Sequence, residues 1–183
     1  DCSCTRFICV RYGNVLASRG SVIPLFHEQI LAGGPVTITT SDMTRFLLSL
    51  DQAVDTIFAA LRGAKRGETY IPRVPSSKVT DIAQALIGDR KIKTVITGIR
   101  PGEKIHEILI SEEEAHRSIE RGNYYVIQPI LPELCVPDEK SISLDHEFSS
   151  KDNVMSPRVL KETLEKFDLM IKERPATNGE LLR

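Results

Sequence analysis

Short extended segments alternate with amphipathic helices along this chain, and this alternation limits the fold more than any other feature. The extended segments are rich in β-branched and aromatic residues. They cover residues 5–12, 35–39, 44–48, 68–72, 93–97 and 124–127. The helical patterns between and after them cover residues 22–30, 49–62, 77–87, 111–121 and 156–167. Strands that alternate with helices predict an α/β fold.

Two capping boxes mark predicted helix starts. Ser49 is followed by Gln52, and Ser111 is followed by Glu114, the spacing in which side chain and backbone cap each other. The second box predicts a helix that ends before Gly122. The first predicted helix carries one apolar face, formed by Leu50, Val54, Ile57, Phe58 and Leu61.

Composition excludes several classes of protein. The 183 residues are 41% hydrophobic, which suffices for a compact core. Lys and Arg (24) nearly balance Asp and Glu (25), and a net charge of −1 disfavours a nucleic-acid partner. No apolar run approaches the ~18 residues that span a bilayer, and residues 1–4 do not resemble a signal peptide. We therefore expect no membrane partner, a cytoplasmic protein and reduced cysteines.

Most motifs that carry chemistry are absent from the sequence. It contains no Gly-x-Gly-x-x-Gly, no Gly-x-x-x-x-Gly-Lys-Ser/Thr and no Gly-x-Ser-x-Gly. The four histidines are scattered, so no metal site is predicted.

Three polar loops remain as candidates for a binding site. Asn14 follows a predicted strand, where ligands collect in open α/β sheets, although its amide could simply complete a turn. Arg45 lies among apolar residues and needs an anion, either from a ligand or from an internal salt bridge. Arg100 and Glu103 flank a tight turn, where they could hold a phosphate and accept hydrogen bonds from a ribose.

Five ordered motifs together resemble a known family. They are Val-Arg-Tyr-Gly-Asn-Val at 10–15, Arg-Gly-Ser-Val-Ile-Pro-Leu-Phe at 19–26, Pro-Val-Thr-Ile-Thr at 35–39, Met-Thr-Arg-Phe at 43–46 and Gly-Ile-Arg-Pro-Gly-Glu-Lys at 98–104. They are similar to the C-terminal half of extended short-chain dehydrogenases/reductases, in particular the UDP-N-acetylglucosamine 4,6-dehydratases of capsular and flagellar polysaccharide synthesis, including the C5-inverting type. Residues 124–129 and 147–153 fit the same group, and the resemblance spans residues 5–169.

The resemblance implies a chemistry and a set of binding residues. In that family NAD or NADP takes a hydride from C4 of the sugar, water leaves across C5 and C6, and the hydride returns to C6. Tyr12 would border the nicotinamide, with Asn14 beside the sugar diphosphate. Thr37 and Ile38 would line the uridine pocket. The implied substrate-binding residues are Asn14, Thr37, Ile38, Arg45, Arg100 and Glu103.

Two motifs that are typical of that family are absent from this sequence. The Tyr-x-x-x-Lys of the family is absent, as is its glycine-rich loop, so no catalytic residue is assigned. We expect the chain alone to be inactive and not to hold NAD(P) tightly. The alternatives are a UDP-sugar 4-epimerase, which only overall similarity separates from the dehydratase here, a non-catalytic UDP-sugar-binding module and an inactive remnant.

The predicted fold is the C-terminal portion of the Rossmann-like fold of that family. Residues 1–23 would be the tail of a Rossmann domain, and residues 24–183 a small α/β substrate-binding region. The strand and helix over 68–88 could instead return to the Rossmann sheet. Because the sequence opens on a strand, we expect a fragment or a split enzyme with an exposed apolar sheet edge that favours self-association. The complete enzyme is expected to form a homo-oligomer, or the Rossmann half to come from a separate chain.

Overall fold

The structure is a computed structural model, and it describes residues 5–134 and 144–172. The helices are α1 (Val22–Leu31), α2 (Leu50–Gly63), α3 (Val79–Ile87), α4 (Glu112–Ala115) and α5 (Pro157–Lys166). The strands are β1 (Cys9–Val10), β2 (Val36–Ile38), β3 (Thr44–Phe46), β4 (Thr69–Pro72), β5 (Ser76–Lys78), β6 (Thr94–Ile96), β7 (Ile108–Ile110), β8 (Ser118–Arg121), β9 (Tyr124–Ile127) and β10 (Phe148–Ser149). Cys2, Cys4 and Cys135 lie outside the described residues.

Four strands form the main sheet in the order β1-β4-β9-β8. β1 and β4 are parallel, with Cys9 opposite Thr69 and Val10 opposite Tyr70. β9 runs antiparallel to both β4 and β8. β1 is therefore an edge strand, and within the described part of the chain its outer side has no neighbouring strand.

Three pairs of short strands complete the architecture. β2 and β6 are parallel, whereas β3 with β5 and β7 with β10 are antiparallel. α1 and α3 pack together over β2, and α5 packs on α3. The strand at 69–72 thus pairs with the opening strand, while α3 belongs to the layer around α1 and α5. The division into residues 1–23 and 24–183 stays a prediction.

The largest apolar cluster lies between α1, α3, α5 and β2. Its fully buried side chains include Phe26, Val36, Ile82, Leu86, Leu160 and Leu164. A second cluster forms around Phe46, Ile71 and Ile110, and a third around Tyr70 and Val126 under α2. No helix among the described residues is both long and apolar enough to cross a membrane.

The apolar face of α2 is exposed. Leu50 is 67% and Leu61 52% exposed, and Val54, Ile57 and Phe58 are exposed as well. The helix contacts β1 and β4. Its buried residues are Ala53, Thr56 and Ala60, which form a stripe beside the large apolar side chains. The capping box of Ser49 and Gln52 forms as predicted.

Some predicted elements are wrong in type or length. The opening strand covers only Cys9–Val10, where backbone pairing with β4 is available. The capping box at Ser111 forms, but the helix ends at Ala115, and β8 follows because residues 118–121 pair with β9. The helix predicted from Ser77 begins at Val79, since Ser77 pairs with Arg45 in a β-ladder.

Candidate functional site

A cavity of about 320 Å³ opens where the loop after β1, the start of α1 and the ends of β2 and β3 meet. Its volume is at the lower end of the range of small-molecule sites, which begins at ~300 Å³. All six residues predicted to bind substrate line it: Asn14, Thr37, Ile38, Arg45, Arg100 and Glu103. Segments that are far apart in sequence therefore contribute to one cavity.

The remaining wall of the cavity is largely apolar. Leu16, Ile23, Phe26, Met43, Phe46 and Val79 belong to it. Several of these side chains are also part of the buried core, so the wall is continuous with the packed interior. An apolar wall with a few charged and polar groups is typical of a site that orients an organic ligand.

Asn14 is held by a carboxylate that sequence reasoning missed. Its side-chain amide Nδ2 donates to Oε1 of Glu107 at 3.0 Å. The other oxygen, Oε2, accepts from the backbone N–H of Phe46 at 2.9 Å. Burial raises the pKa of Glu107, and this N–H together with the positive charges of Arg45 and Lys104 acts in the opposite direction. The charge of Glu107 in the polar stretch 103–107 is the only sequence signal that could have found it.

The guanidinium of Arg45 donates hydrogen bonds mainly to backbone carbonyl oxygens. Its Nη1 donates to the carbonyl oxygens of Thr44 at 2.7 Å and Ile105 at 3.1 Å. Its Nη2 donates to the carbonyl oxygen of Lys104 at 2.9 Å. Its Nε lies 4.0 Å from Oε1 of Glu107. The guanidinium thus ties β3 to residues 104–107 while lining the cavity, and its contact with a diphosphate stays a prediction.

Arg100 and Glu103 face each other across the predicted turn. The amide of Glu103 donates to the carbonyl of Arg100 at 3.1 Å, and Gly102 between them has φ of +81°. Pro followed by Gly at the two central positions is the pattern of a type II turn. Oε1 of Glu103 also accepts from Oγ1 of Thr39 at 3.1 Å, which anchors the turn to the end of β2. Arg100 itself is exposed, so its guanidinium lies at the mouth of the cavity.

Thr37 and Ile38 line the cavity from β2, and α1 holds this strand from the side. Gln29 of α1 donates from Nε2 to Oγ1 of Thr37 at 2.7 Å. Its Oε1 accepts from the backbone N–H of Thr37 at 3.0 Å. Ile38 is buried in the main cluster. No pattern in the sequence predicted the contact of Gln29.

The N-terminus of α1 contributes a further polar group. Ser21 is the residue before the first turn of α1, and its hydroxyl makes no capping hydrogen bond. Oγ of Ser21 is buried, has no hydrogen-bond partner among the described residues, and belongs to a residue that lines the cavity. Unpaired N–H groups and the helix dipole favour an anion at such a position. This arrangement can complement the phosphates of a nucleotide.

A hydroxyl network lies behind the cavity. Oγ1 of Thr44 is 2.8 Å from Nδ1 of His106 and 2.6 Å from Oγ of Ser150. The backbone N–H of Glu107 donates to Oγ of Ser150 at 2.9 Å. Residues 147–153 resembled the family without an assigned role, and Ser150 now connects this segment to the site.

Tyr12 is not among the residues that line the cavity. It follows β1 and is 39% exposed. Its predicted place beside a nicotinamide stays a prediction. In the described ranges, the site is thus built from the six other predicted residues, with Glu107, Gln29 and Ser21 in addition.

Comparisons with known proteins identify the family to which the chain is similar. The sequence family described as "polysaccharide biosynthesis protein" matches residues 1–129. The UDP-N-acetylglucosamine 4,6-dehydratase (inverting) of Campylobacter jejuni serotype O:2 is 42% identical over 146 residues, which are 79% of this chain and 41% of that protein. The UDP-glucose 4-epimerase of Rickettsia bellii is 38% identical over 177 residues, or 92% of this chain and 52% of that protein.

A solved structure has the same fold. The X-ray structure of Pen from Bacillus thuringiensis matches with a TM-score of 0.80 and 32% sequence identity, over 91% of this chain and 52% of that one. The predicted α/β fold class is confirmed. The chain spans about half the length of the relatives that it matches.

Proposed function

Because the chain belongs to the polysaccharide biosynthesis protein family, as its motifs predicted, we propose that its cavity binds a UDP-sugar. The chain would be the substrate-binding half of a UDP-N-acetylglucosamine 4,6-dehydratase of the C5-inverting type. The observation that carries the proposal is the convergence of six residues, chosen from separate motifs, on one cavity. Capsule synthesis and a cytoplasmic location belong to the same proposal.

The charges of the cavity suit a nucleoside diphosphate. Arg100 at the mouth and the start of α1 at Ser21 offer positive charge and N–H donors to the phosphates. Glu103 offers carboxylate oxygens to the hydroxyls of the ribose. Ile38 and the apolar wall would cover the uracil. Arg45 would act both on the ligand and on the segment that carries Glu107.

A UDP-sugar 4-epimerase is the second candidate. The relative from Rickettsia bellii is named UDP-glucose 4-epimerase and is matched over 92% of this chain. Both reactions would use the same substrate-binding half, so the cavity suits either. A non-catalytic module that binds UDP-sugars would also keep this cavity, whereas an inactive remnant would not need to bind a ligand.

The residues of this chain do not by themselves fit a dinucleotide. The sequence has no Gly-x-Gly-x-x-Gly. Tyr12, the one residue assigned to NAD or NADP, lies outside the cavity and is partly exposed. We therefore expect weak NAD(P) binding by this chain alone and no dehydration of UDP-N-acetylglucosamine. Dehydrated product formed by the purified chain would contradict this expectation.

The exposed face of α2 suits the other half of such an enzyme. The crossover from β1 to its parallel neighbour β4 contains α2. Crossovers between parallel strands are almost always right-handed, so a further strand on the free edge of β1, joined to it through a helix, would place that helix beside α2. The apolar face of α2 would then be buried. Such a half could come from the same polypeptide or a separate chain, and the complete enzyme could form a homo-oligomer.

Calorimetric titration with UDP tests the proposed function. We expect binding by the wild-type chain and loss of binding in Arg100→Ala, with circular dichroism confirming that both are folded. Lys161→Ala, which removes an exposed cation from α5, is the matched control and should bind as the wild type does. A folded wild-type chain that binds no UDP, or an Arg100→Ala variant that binds normally, would contradict the proposed site.

A further inference from the structure

Glu107 lies behind the cavity and joins two of its walls. Its carboxylate contacts Asn14 in the loop after β1 and the backbone of Phe46 in β3, yet it is not among the residues that line the cavity. We propose that Glu107 is a positioning residue whose charge sets the orientation of the Asn14 amide toward a bound UDP-sugar. The effect on binding rests on the proposed function, whereas the orientation can be tested without a ligand.

The donors and acceptors of the two side chains fix their orientation. An ionised carboxylate only accepts hydrogen bonds, whereas an asparagine amide has a donating and an accepting end. Asn14 must therefore turn its Nδ2 toward Glu107, and Nδ2 lies 3.0 Å from Oε1. The opposite end of the amide, Oδ1, is then turned away from the carboxylate. Glu107 thus decides which end of Asn14 is left for a ligand.

The carboxylate is itself firmly held. The backbone N–H of Glu107 donates to Oγ of Ser150 at 2.9 Å, and the backbone N–H of Ser150 donates to the carbonyl oxygen of Glu107 at 2.8 Å. Gly13 leaves room for Phe46, because a Cβ at this position would lie 3.1 Å from Cβ of Phe46, and it would lie in ordinary contact, at 3.5 Å, with Oε2 of Glu107. The carboxylate therefore has little freedom to follow Asn14 if the amide turns.

Protonation of Glu107 should exchange the positions of Nδ2 and Oδ1 in the side-chain amide of Asn14. Since Oε2 must accept from the N–H of Phe46, an added proton goes to Oε1, which then donates toward Asn14. Asn14 must then accept this hydrogen bond with Oδ1 instead of donating from Nδ2. The charged groups that face the carboxylate are Arg45 from β3 and Lys104 from its own segment, and the titratable His106 next to it is bonded to Thr44. Burial raises the pKa of Glu107, so the change should begin at a higher pH than for an exposed glutamate.

Glu107→Gln imitates the protonated state. The glutamine oxygen must face the N–H of Phe46, which leaves the glutamine NH₂ facing Asn14. Two donors cannot share that contact, so the Asn14 amide should turn. The substitution keeps size and shape while it exchanges the two ends of Asn14.

Nuclear magnetic resonance of the free chain tests the orientation. The side-chain NH₂ signals of Asn14, identified by their loss in Asn14→Ala, should shift as the pH falls, with a midpoint above the usual glutamate value of 4.5. In Glu107→Gln they should lie near their low-pH position and no longer titrate. Signals that do not titrate in the wild type, or that keep their wild-type position in Glu107→Gln, would overturn the proposal.

Calorimetry with UDP-N-acetylglucosamine tests the consequence. We expect Glu107→Gln to weaken binding about tenfold, the loss of roughly one well-placed hydrogen bond. In an Asn14→Ala background it should weaken binding no further, because Glu107 acts through Asn14. Glu112→Gln, which removes an exposed carboxylate, should change nothing.

Normal binding by Glu107→Gln, or an equal loss in the Asn14→Ala background, would overturn the positioning role. A wild-type chain that binds no UDP-sugar would refute the proposed function instead. The NH₂ signals of Asn14 would then decide the orientation alone.

Discussion

α3 and α2 are both amphipathic helices, but they use their apolar faces differently. α3 buries Val79, Ile82 and Leu86 against α1 and α5. α2 buries only small side chains, such as Ala53 and Ala60, and exposes its large apolar ones. An apolar face therefore indicates a need for a packing partner, and of these two helices only α3 finds one among the described residues.

Truncation of one leucine on each helix should have very different effects on the free energy of unfolding, and this is the largest difference that we expect. Leu86→Ala, in the core under α3, is expected to lower the free energy of unfolding by about 2–5 kcal/mol through lost burial and a cavity. Leu61→Ala, on the exposed face of α2, should change it by less than about 0.5 kcal/mol. Urea unfolding followed by circular dichroism measures both. Equal losses would mean that the face of α2 is buried in solution.

A buried ion pair stabilises the sheet beneath α2. Glu68 accepts from Nη1 and Nη2 of Arg121 at 2.8 and 2.9 Å and from the N–H of Lys65 at 2.7 Å, and its side chain is only 3% exposed. Glu68→Gln should cost about 1–3 kcal/mol of unfolding free energy, measured by urea unfolding, because the guanidinium loses a charged acceptor. Glu120→Gln on the same strand as Arg121 is the matched control; it removes an exposed carboxylate paired with Arg73 and should cost little. A harmless Glu68→Gln would show that the charge of Glu68 does not contribute to the stability of the sheet.

A second ion pair beside the open edge of the sheet predicts a pH dependence. Arg11, next to β1, donates to both carboxylate oxygens of Glu114 at 2.6 and 3.0 Å, and this bond lowers the pKa of Glu114. A lowered pKa in the folded state contributes stability above the usual value of 4.5, and this contribution is lost as the pH falls through the folded-state pKa. The pair is partly exposed, so the contribution should be at most about 1 kcal/mol.

Glu114→Gln tests this ion pair. The variant should be less stable than the wild type at pH 7, and the difference should shrink below pH 4.5. Thermal unfolding between pH 7 and pH 3 measures the difference. A constant difference across that range would mean that the charge of Glu114 does not matter.

Polar substitutions on α2 should leave stability almost unchanged but alter association. Ile57→Gln combined with Phe58→Gln should shift the unfolding free energy by less than about 0.5 kcal/mol, since both side chains are exposed. The wild-type chain is expected to self-associate through this face, and the double variant should do so less in sedimentation velocity runs at high concentration. Val159→Gln removes a single exposed apolar side chain from α5 and serves as control. A wild-type chain that stays monomeric at every concentration would refute the expectation.

Local rules explain which elements were predictable. Both capping boxes formed, because a capping box depends only on residues three apart. The helix after Ser111 was nevertheless predicted too long, because the pairing of β8 with β9 outweighs the local preference of residues 118–121. The predicted strand over 5–12 was also too long. In the described part of the chain only β4 pairs with it, and only over two residues.

Some residues of the candidate site were predictable from the sequence, and others were not. Asn14, Arg45, Arg100 and Glu103 were found from polar residues in apolar surroundings and from motifs, and all of them line the cavity. Gln29 and Glu107 were missed, because their roles depend on partners 8 and 93 residues away. Ser21 was visible only as part of a motif, and the burial of its hydroxyl at the cavity becomes evident once α1 is in place.

Spacing and short motifs were enough to predict the α/β class, the family, the two helix starts with capping boxes and the segments that line the cavity. The tertiary structure alone shows that the apolar face of α2 is exposed and that β1 is an edge strand in the described part of the chain. It alone also brought the carboxylate of Glu107 to Asn14. These features depend on which distant segments meet, since burial and charge pairing are properties of contacts and not of residues in order.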